Sequence, residues 1–204
     1  MRTPSRVLIV PGWENSGPDH WQTLWERADP RRFRRVEQRD WDTPRPEDWI
    51  RELDTAIAAE PAPAVLVAHS LGCIAIAHWA ARCARPVAGA LLVAPADVER
   101  ADTPEPIRCF APVPLQPLPF RSILVASSND EYLSVDRAGH LARCWGSALV
   151  PVVTIFGIDF GTLSGRAVVV RSGRFVGLRG GIPVAALAYL AAALAAAAAY
   201  RRDV

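Results

Sequence analysis

The chain has 204 residues with 23 basic and 21 acidic side chains, a formal net charge of +2. That length suits one domain with a full core, and the balanced charge argues against a nucleic-acid binder or an acidic tail. Every basic residue is an arginine, so mechanisms that need a lysine, such as a Walker A phosphate loop or a Schiff base, are excluded. Cys73, Cys83, Cys109 and Cys144 form no C-x-x-C pair, which fits reduced, mostly buried thiols in a cytoplasmic protein better than disulfides or zinc. No metal and no cofactor is expected. The apolar run Val7-Leu8-Ile9-Val10 lies too early and is too short for a secretory signal, so export is not expected.

Apolar runs of β character alternate with helical periodicity along the chain. Val7 to Val10 predicts a strand, His20 to Arg27 a helix, the stretch near Val36 a strand, and Trp49, Leu53 and Ile57 at four-residue spacing a second helix. Val65 to Val67, the stretch after Ser70, Ala90 to Val93 and Ile123 to Ala126 continue the alternation. Continuous apolar strands between helices imply a mainly parallel sheet covered on both faces, a doubly wound α/β core. The proline-rich connection between Pro95 and Pro119 is longer than ordinary connections and is expected to form a lid over the site, with a partly mobile excursion as the alternative. Arg31-Arg32-Phe33-Arg34-Arg35 reads as a solvated surface, with anion binding as the alternative. Further on, Ala167 to Val176 predicts a hairpin turning at Ser172-Gly173. Pro183 to Tyr200 predicts an alanine-rich helix closed by Arg201-Arg202. That helix approaches the length of a membrane span, but alanine contributes little transfer energy, so no membrane partner is expected.

Ala68-His69-Ser70-Leu71-Gly72 follows the apolar run Val65-Leu66-Val67 and precedes the helix-like Cys73 to Trp79. A serine at such a strand-to-helix apex projects its hydroxyl above the sheet, with helix N–H groups behind it to receive an oxyanion. Ala68 stands where the elbow pattern G-x-S-x-G has its first glycine. The alternative for Ser70 is a buried helix N-cap. A serine nucleophile needs a base, a carboxylate behind that base, and oxyanion donors. The N–H of Leu71, next after Ser70, is one expected donor, and the N–H of Trp13 in Pro11-Gly12-Trp13, which leaves the first strand at its carboxyl end, is the other. Asp130, after Ile123 to Asn129, is the expected carboxylate; its alternative is a turn residue or an N-cap.

Pro11-Gly12-Trp13, Gly17-Pro18-Asp19-His20-Trp21, Asp40-Trp41, Ala68 to Gly72, Val93-Ala94-Pro95-Ala96-Asp97, Leu118-Pro119-Phe120 and Ser127-Ser128-Asn129-Asp130 occur in that order. Together, over Val7 to about Val150, they resemble the small α/β-hydrolases related to the retinoblastoma-binding serine hydrolase. The resemblance implies a Ser-Asp-His hydrolase of small esters, or of amides, with Ser70 and Asp130 matching the nucleophile and the acid. It also implies a histidine in a Gly-His segment beyond the Trp145-Gly146-Ser147 turn, and none follows His140 in this sequence. His140 is the substitute base to be considered; His69 is expected to point to the other side of the turn, His78 to pack, and His20 to order the oxyanion loop.

In place of that segment, residues 154–170 resemble the N-terminal phosphate-loop hairpin of ribulokinase-type sugar kinases. A chain of this length cannot supply the two-lobed kinase body, so a kinase fragment is the remote reading. Residues 1–150 are therefore expected to form an α/β-hydrolase domain and 151–204 an atypical tail, a fused or misread gene end. Two functions compete: a serine hydrolase impaired for want of its histidine, and a catalytically inactive hydrolase-fold binding protein.

Overall fold

The structure, a computed structural model, describes residues 6–152. The hairpin, the alanine-rich helix and the kinase-like segment expected from the sequence lie outside the described residues. In chain order the elements are β1 (Val7–Val10), α1 (Trp21–Ala28), β2 (Phe33–Arg35), α2 (Pro46–Ala58), β3 (Ala64–His69), α3 (Leu71–Ala80), β4 (Val87–Val93), a short 3-10 helix (Glu105–Phe110), β5 (Ser122–Ser127), α4 (Val135–Trp145) and β6 (Ala148–Val152). The six strands form one sheet in the order β2-β1-β3-β4-β5-β6, and every pairing is parallel. From β1 the chain first runs out to β2, then returns to lay β3 on the other side of β1. That reversal places a topological switch point between the carboxyl ends of β1 and β3, the place where open α/β sheets bind ligands.

Strand alternation divides the core. Leu8, Val10, Leu66 and Ala68 face one side and join residues of α2, α3 and α4 in the larger cluster. Val7, Ile9, Val65 and Val67 face the other, against Trp25 of α1 and Phe33. Helix α3 is buried from Leu71 to Trp79, which explains why its residues are apolar all round rather than on one stripe. Local signals set the helix ends. Pro46 opens α2 with Glu47 and Asp48 in its first turn, favourable to the helix dipole. The Ser134 hydroxyl accepts the Arg137 N–H at 3.1 Å at the start of α4. Gly146, left-handed at φ 67°, ends that helix, and Ser147 N–H bonds Ala142 O at 2.9 Å.

The connection from Pro95 to Pro119 differs from the expected lid. Its apolar residues Ile107, Phe110 and Val113 are buried, His78 Nε2 lies 2.8 Å from Phe110 O, and Trp145 Nε1 donates to Pro114 O at 2.8 Å. The prolines suggest an excursion, but these side chains pin it to α3 and α4. Phe110, fully buried against Trp49 and His78, is accordingly a core residue. Phe110→Ala is expected to lower the unfolding free energy by about 3–5 kcal/mol, measured by chemical denaturation.

Candidate active site

Ser70 joins β3 to α3 with φ 51° and ψ −122°, a left-handed backbone that a residue with a Cβ adopts only when its surroundings impose it. The surroundings are visible. Ser70 N–H bonds Val93 O at 3.0 Å and Ser70 O accepts the Cys73 N–H at 3.0 Å, tying the turn to β4 and to the first turn of α3. The hydroxyl makes no cap hydrogen bond to that helix, so the N-cap alternative does not describe it. Two glycines let backbone crowd the turn. A Cβ on Gly72 would stand 2.3 Å from Val10 O and 2.5 Å from Pro11 O. A Cβ on Gly12 would stand 2.9 Å from Ser70 Cβ and 3.3 Å from Ser70 Oγ, so the loop after β1 lies directly against the serine. Ala68, at the first position of the motif, is fully buried in β3.

The loop that follows Gly12 turns through Glu14 and Asn15, both left-handed at φ 60° and 67°. Glu14 N–H bonds Trp41 O at 3.1 Å, and Trp13 Nε1 donates to Asp42 O at 2.9 Å. Leu71, whose N–H follows the serine, is fully buried at the start of α3. Asp130 is half-buried in the turn after β5. Its Oδ1 accepts the N–H groups of Tyr132 at 2.8 Å and Leu133 at 3.2 Å, so the turn alternative describes one of its two oxygens and also fixes how the carboxylate is presented.

The histidines are engaged elsewhere, and among the described residues none hydrogen-bonds Ser70. His140, midway along α4, has Nε2 at 3.7 Å from Cys144 Sγ. His78 meets Phe110 O, and burial lowers its pKa while that contact opposes the shift. His20 caps α1, Nδ1 accepting the Gln22 N–H at 3.3 Å. Burial, then Arg35, pushes its pKa down to about 4. His69 packs against His20 on the α1 side of the sheet, ring centroids 4.9 Å apart and planes tilted by 52°. Burial, then His20, holds it well below the ordinary histidine range. The thiol nearest the serine in sequence, Cys73, is fully buried and burial pushes its pKa up, so it stays protonated and offers no competing nucleophile.

Two buried polar residues beside the loop that follows β1 escaped the sequence reading. Arg35 sits in the run read as solvated surface, yet its side chain is buried and paired with Glu26 at 2.9 Å. Gln22 is fully buried in α1. Neither is marked in the local sequence: Gln22 lies between Trp21 and Thr23, and Arg35 between Arg34 and Val36. Among the described residues no group of three or more His, Cys, Asp or Glu could hold a metal ion, and no helix is long and apolar enough to cross a membrane.

The family model described as serine hydrolase matches residues 7–157. Among solved structures, a YdeN-like hydrolase from Pectobacterium atrosepticum is 31% identical, with a TM-score of 0.63 over 72% of this chain and 76% of that one. The ydeN gene product of B. subtilis is 22% identical, with a TM-score of 0.58 over 74% of this chain and 86% of that one. The esterase RhEst1 from Rhodococcus sp. ECU1013, at 16% identity and a TM-score of 0.53, covers 72% of this chain and is covered over 81% of its own; these last two share the fold. No curated protein matches the sequence. The six-stranded parallel sheet, its flanking helices and the extent of the family match lead to one assignment: the chain belongs to the serine hydrolase family, with an α/β-hydrolase fold.

Proposed function

We propose that the chain is a hydrolase of small esters, or of amides, with Ser70 as its nucleophile. The observation that supports this most is the left-handed Ser70 at the β3–α3 junction with the Gly12 backbone pressed against its side chain. In this reading Ser70 Oγ attacks the acyl carbon as its proton passes to a base, and the carbonyl oxygen gathers negative charge between the N–H groups of Leu71 and Trp13. The protonated leaving group departs, and water then releases the acid from the acyl-serine. Asp130 would orient the base and stabilise its charged form. Residues 1–150 form the hydrolase domain, and the protein works in the cytoplasm.

The base is the weak part. His140 is the candidate that the sequence offers, and its imidazole faces Cys144. We therefore expect turnover to be impaired, by a factor on the order of 10⁴ to 10⁶ relative to a complete triad. The same observation favours a second reading, an inactive hydrolase-fold protein that binds small molecules without turning them over. Hydrolysis of p-nitrophenyl acetate separates the two. Slow release of p-nitrophenol that Ser70→Ala abolishes supports the hydrolase; a rate equal in both proteins supports the inactive fold.

A further inference from the structure

The buried amide of Gln22 connects three segments that meet at the candidate site. Its Nε2 donates to Val10 O at 3.3 Å and to Val67 O at 3.0 Å, and its Oε1 accepts the Ser16 hydroxyl at 2.7 Å. Val10 is the last residue of β1, directly before the Pro11-Gly12-Trp13 loop. Val67 lies in β3, three residues before Ser70, and Ser16 lies at the far end of the same loop. One side chain therefore ties the nucleophile strand to both ends of the loop that carries the expected oxyanion donor.

Burying an amide costs free energy unless it is hydrogen-bonded, and a methionine of similar length would fill the site without that demand. What the amide adds is direction, since its donors and acceptor reach fixed points on separate segments. A second set of bonds closes the loop from the other side. Thr23 Oγ1 donates to Ser16 O at 2.9 Å, while Arg35 donates to Thr23 Oγ1 at 2.7 Å and to Asn15 Oδ1 at 2.5 Å. The loop needs such bracing because Glu14 and Asn15 are both left-handed.

We infer that Gln22, acting through Ser16, is a positioning residue that sets the distance between the Trp13 N–H and Ser70. The inference rests on the reading of Ser70 as nucleophile. Gln22 touches neither substrate nor the reacting atoms; its effect is on where an oxyanion donor sits, and a displacement of about 1 Å at such a group can cost on the order of 100-fold in rate.

Ser16→Ala removes the loop's link and leaves both strand carbonyl bonds of Gln22 intact; Gln22→Met removes all three. Two measurements on the full chain test them: amide hydrogen exchange over residues 12–17, and the kinact and KI of a fluorophosphonate probe. The expected result for both variants is exchange at residues 12–17 at least tenfold faster with β3–β5 unchanged. A tenfold or greater fall in kinact with KI within twofold is expected beside it. If Gln22→Met fails to fold, Ser16→Ala alone decides. Unchanged exchange at 12–17, exchange rising equally in β3–β5, or a loosened loop with undiminished kinact would each overturn the inference. A wild-type chain that takes no label counts against the Ser70 reading instead, and the exchange result then decides whether Gln22 anchors the loop.

Discussion

Gly72→Ala is expected to be the most damaging glycine-to-alanine change among the described residues. The new Cβ would lie 2.3 Å from Val10 O and 2.5 Å from Pro11 O, and both are backbone atoms. A flexible side chain could swing away, but here the start of α3 or the end of β1 must move. Overpacked cores usually lose about 1–3 kcal/mol, and a clash against backbone on two carbonyls belongs at or above the top of that range. For a domain of this size that means a melting point lower by roughly 10 °C or more. The same displacement would pull Gly12 away from Ser70, so reactivity of the serine should fall as well. Gly17→Ala is the matched control, because a Cβ there meets nothing within 4 Å; its melting point should stay within about 2 °C of wild type. Equal melting points for Gly72→Ala and wild type would show that the turn is looser than described.

The second large effect is acid sensitivity above the carboxylate range. His20 has its pKa pushed down to about 4, first by burial and then by Arg35, and His69 is held well below the ordinary histidine range by burial and then by His20. Both are neutral in the folded chain, whereas in the unfolded chain a histidine titrates near its ordinary value of about 6.5. As pH falls below that value the unfolded state takes up protons that the folded state refuses, so stability drops. For His20 alone the loss approaches about 3 kcal/mol by pH 4, at 1.36 kcal/mol per pH unit. Protonation would also remove the Nδ1 lone pair that caps α1 and place a charge beside the loop that follows β1. Asp54, whose pKa is lowered first by the Arg85 hydrogen bond, stabilises the fold above the ordinary carboxylate value and loses that contribution only at lower pH, so the two windows separate. Urea unfolding at pH 7.0 and 4.5 measures the effect. Wild type should lose stability between them, and His20→Gln should lose less; a flat response in wild type would contradict the burial of these imidazoles.

Much of the fold was legible because it is written in short-range patterns. The runs Val7 to Val10, Val65 to Val67 and Ile123 to Ala126 each became a parallel strand, and the spacing of Trp49, Leu53 and Ile57 became the buried face of α2. The strand at Ala90 begins three residues earlier, at Val87. Its first turn of sequence, Pro86-Val87-Ala88-Gly89, carries breaker and small residues, and pairing with β3 rather than local preference makes it a strand. The strand-to-helix junction at Ser70 was legible for the same short-range reason, since a strand, a small residue, a serine and a glycine lie within a few positions. Gln22 and Arg35 were not legible. Gln22 reaches Val67 and Arg35 reaches Asn15, partners far off in sequence, and nothing in the local composition distinguishes a buried amide or guanidinium from a solvated one. The Pro95 to Pro119 connection misled for the reverse reason. Its prolines are a local signal of irregular backbone, while the burial of Phe110 depends on α2 and α3.

Covalent labelling tests the role of Ser70 as a nucleophile most directly. The folded 204-residue chain would be incubated with a fluorophosphonate, with intact-mass analysis and peptide mapping of the product. The expected result is a single adduct, slow to form, on Ser70, and none on a folded Ser70→Ala chain. A folded wild-type chain that takes up no probe, or an adduct that persists in Ser70→Ala, would contradict it.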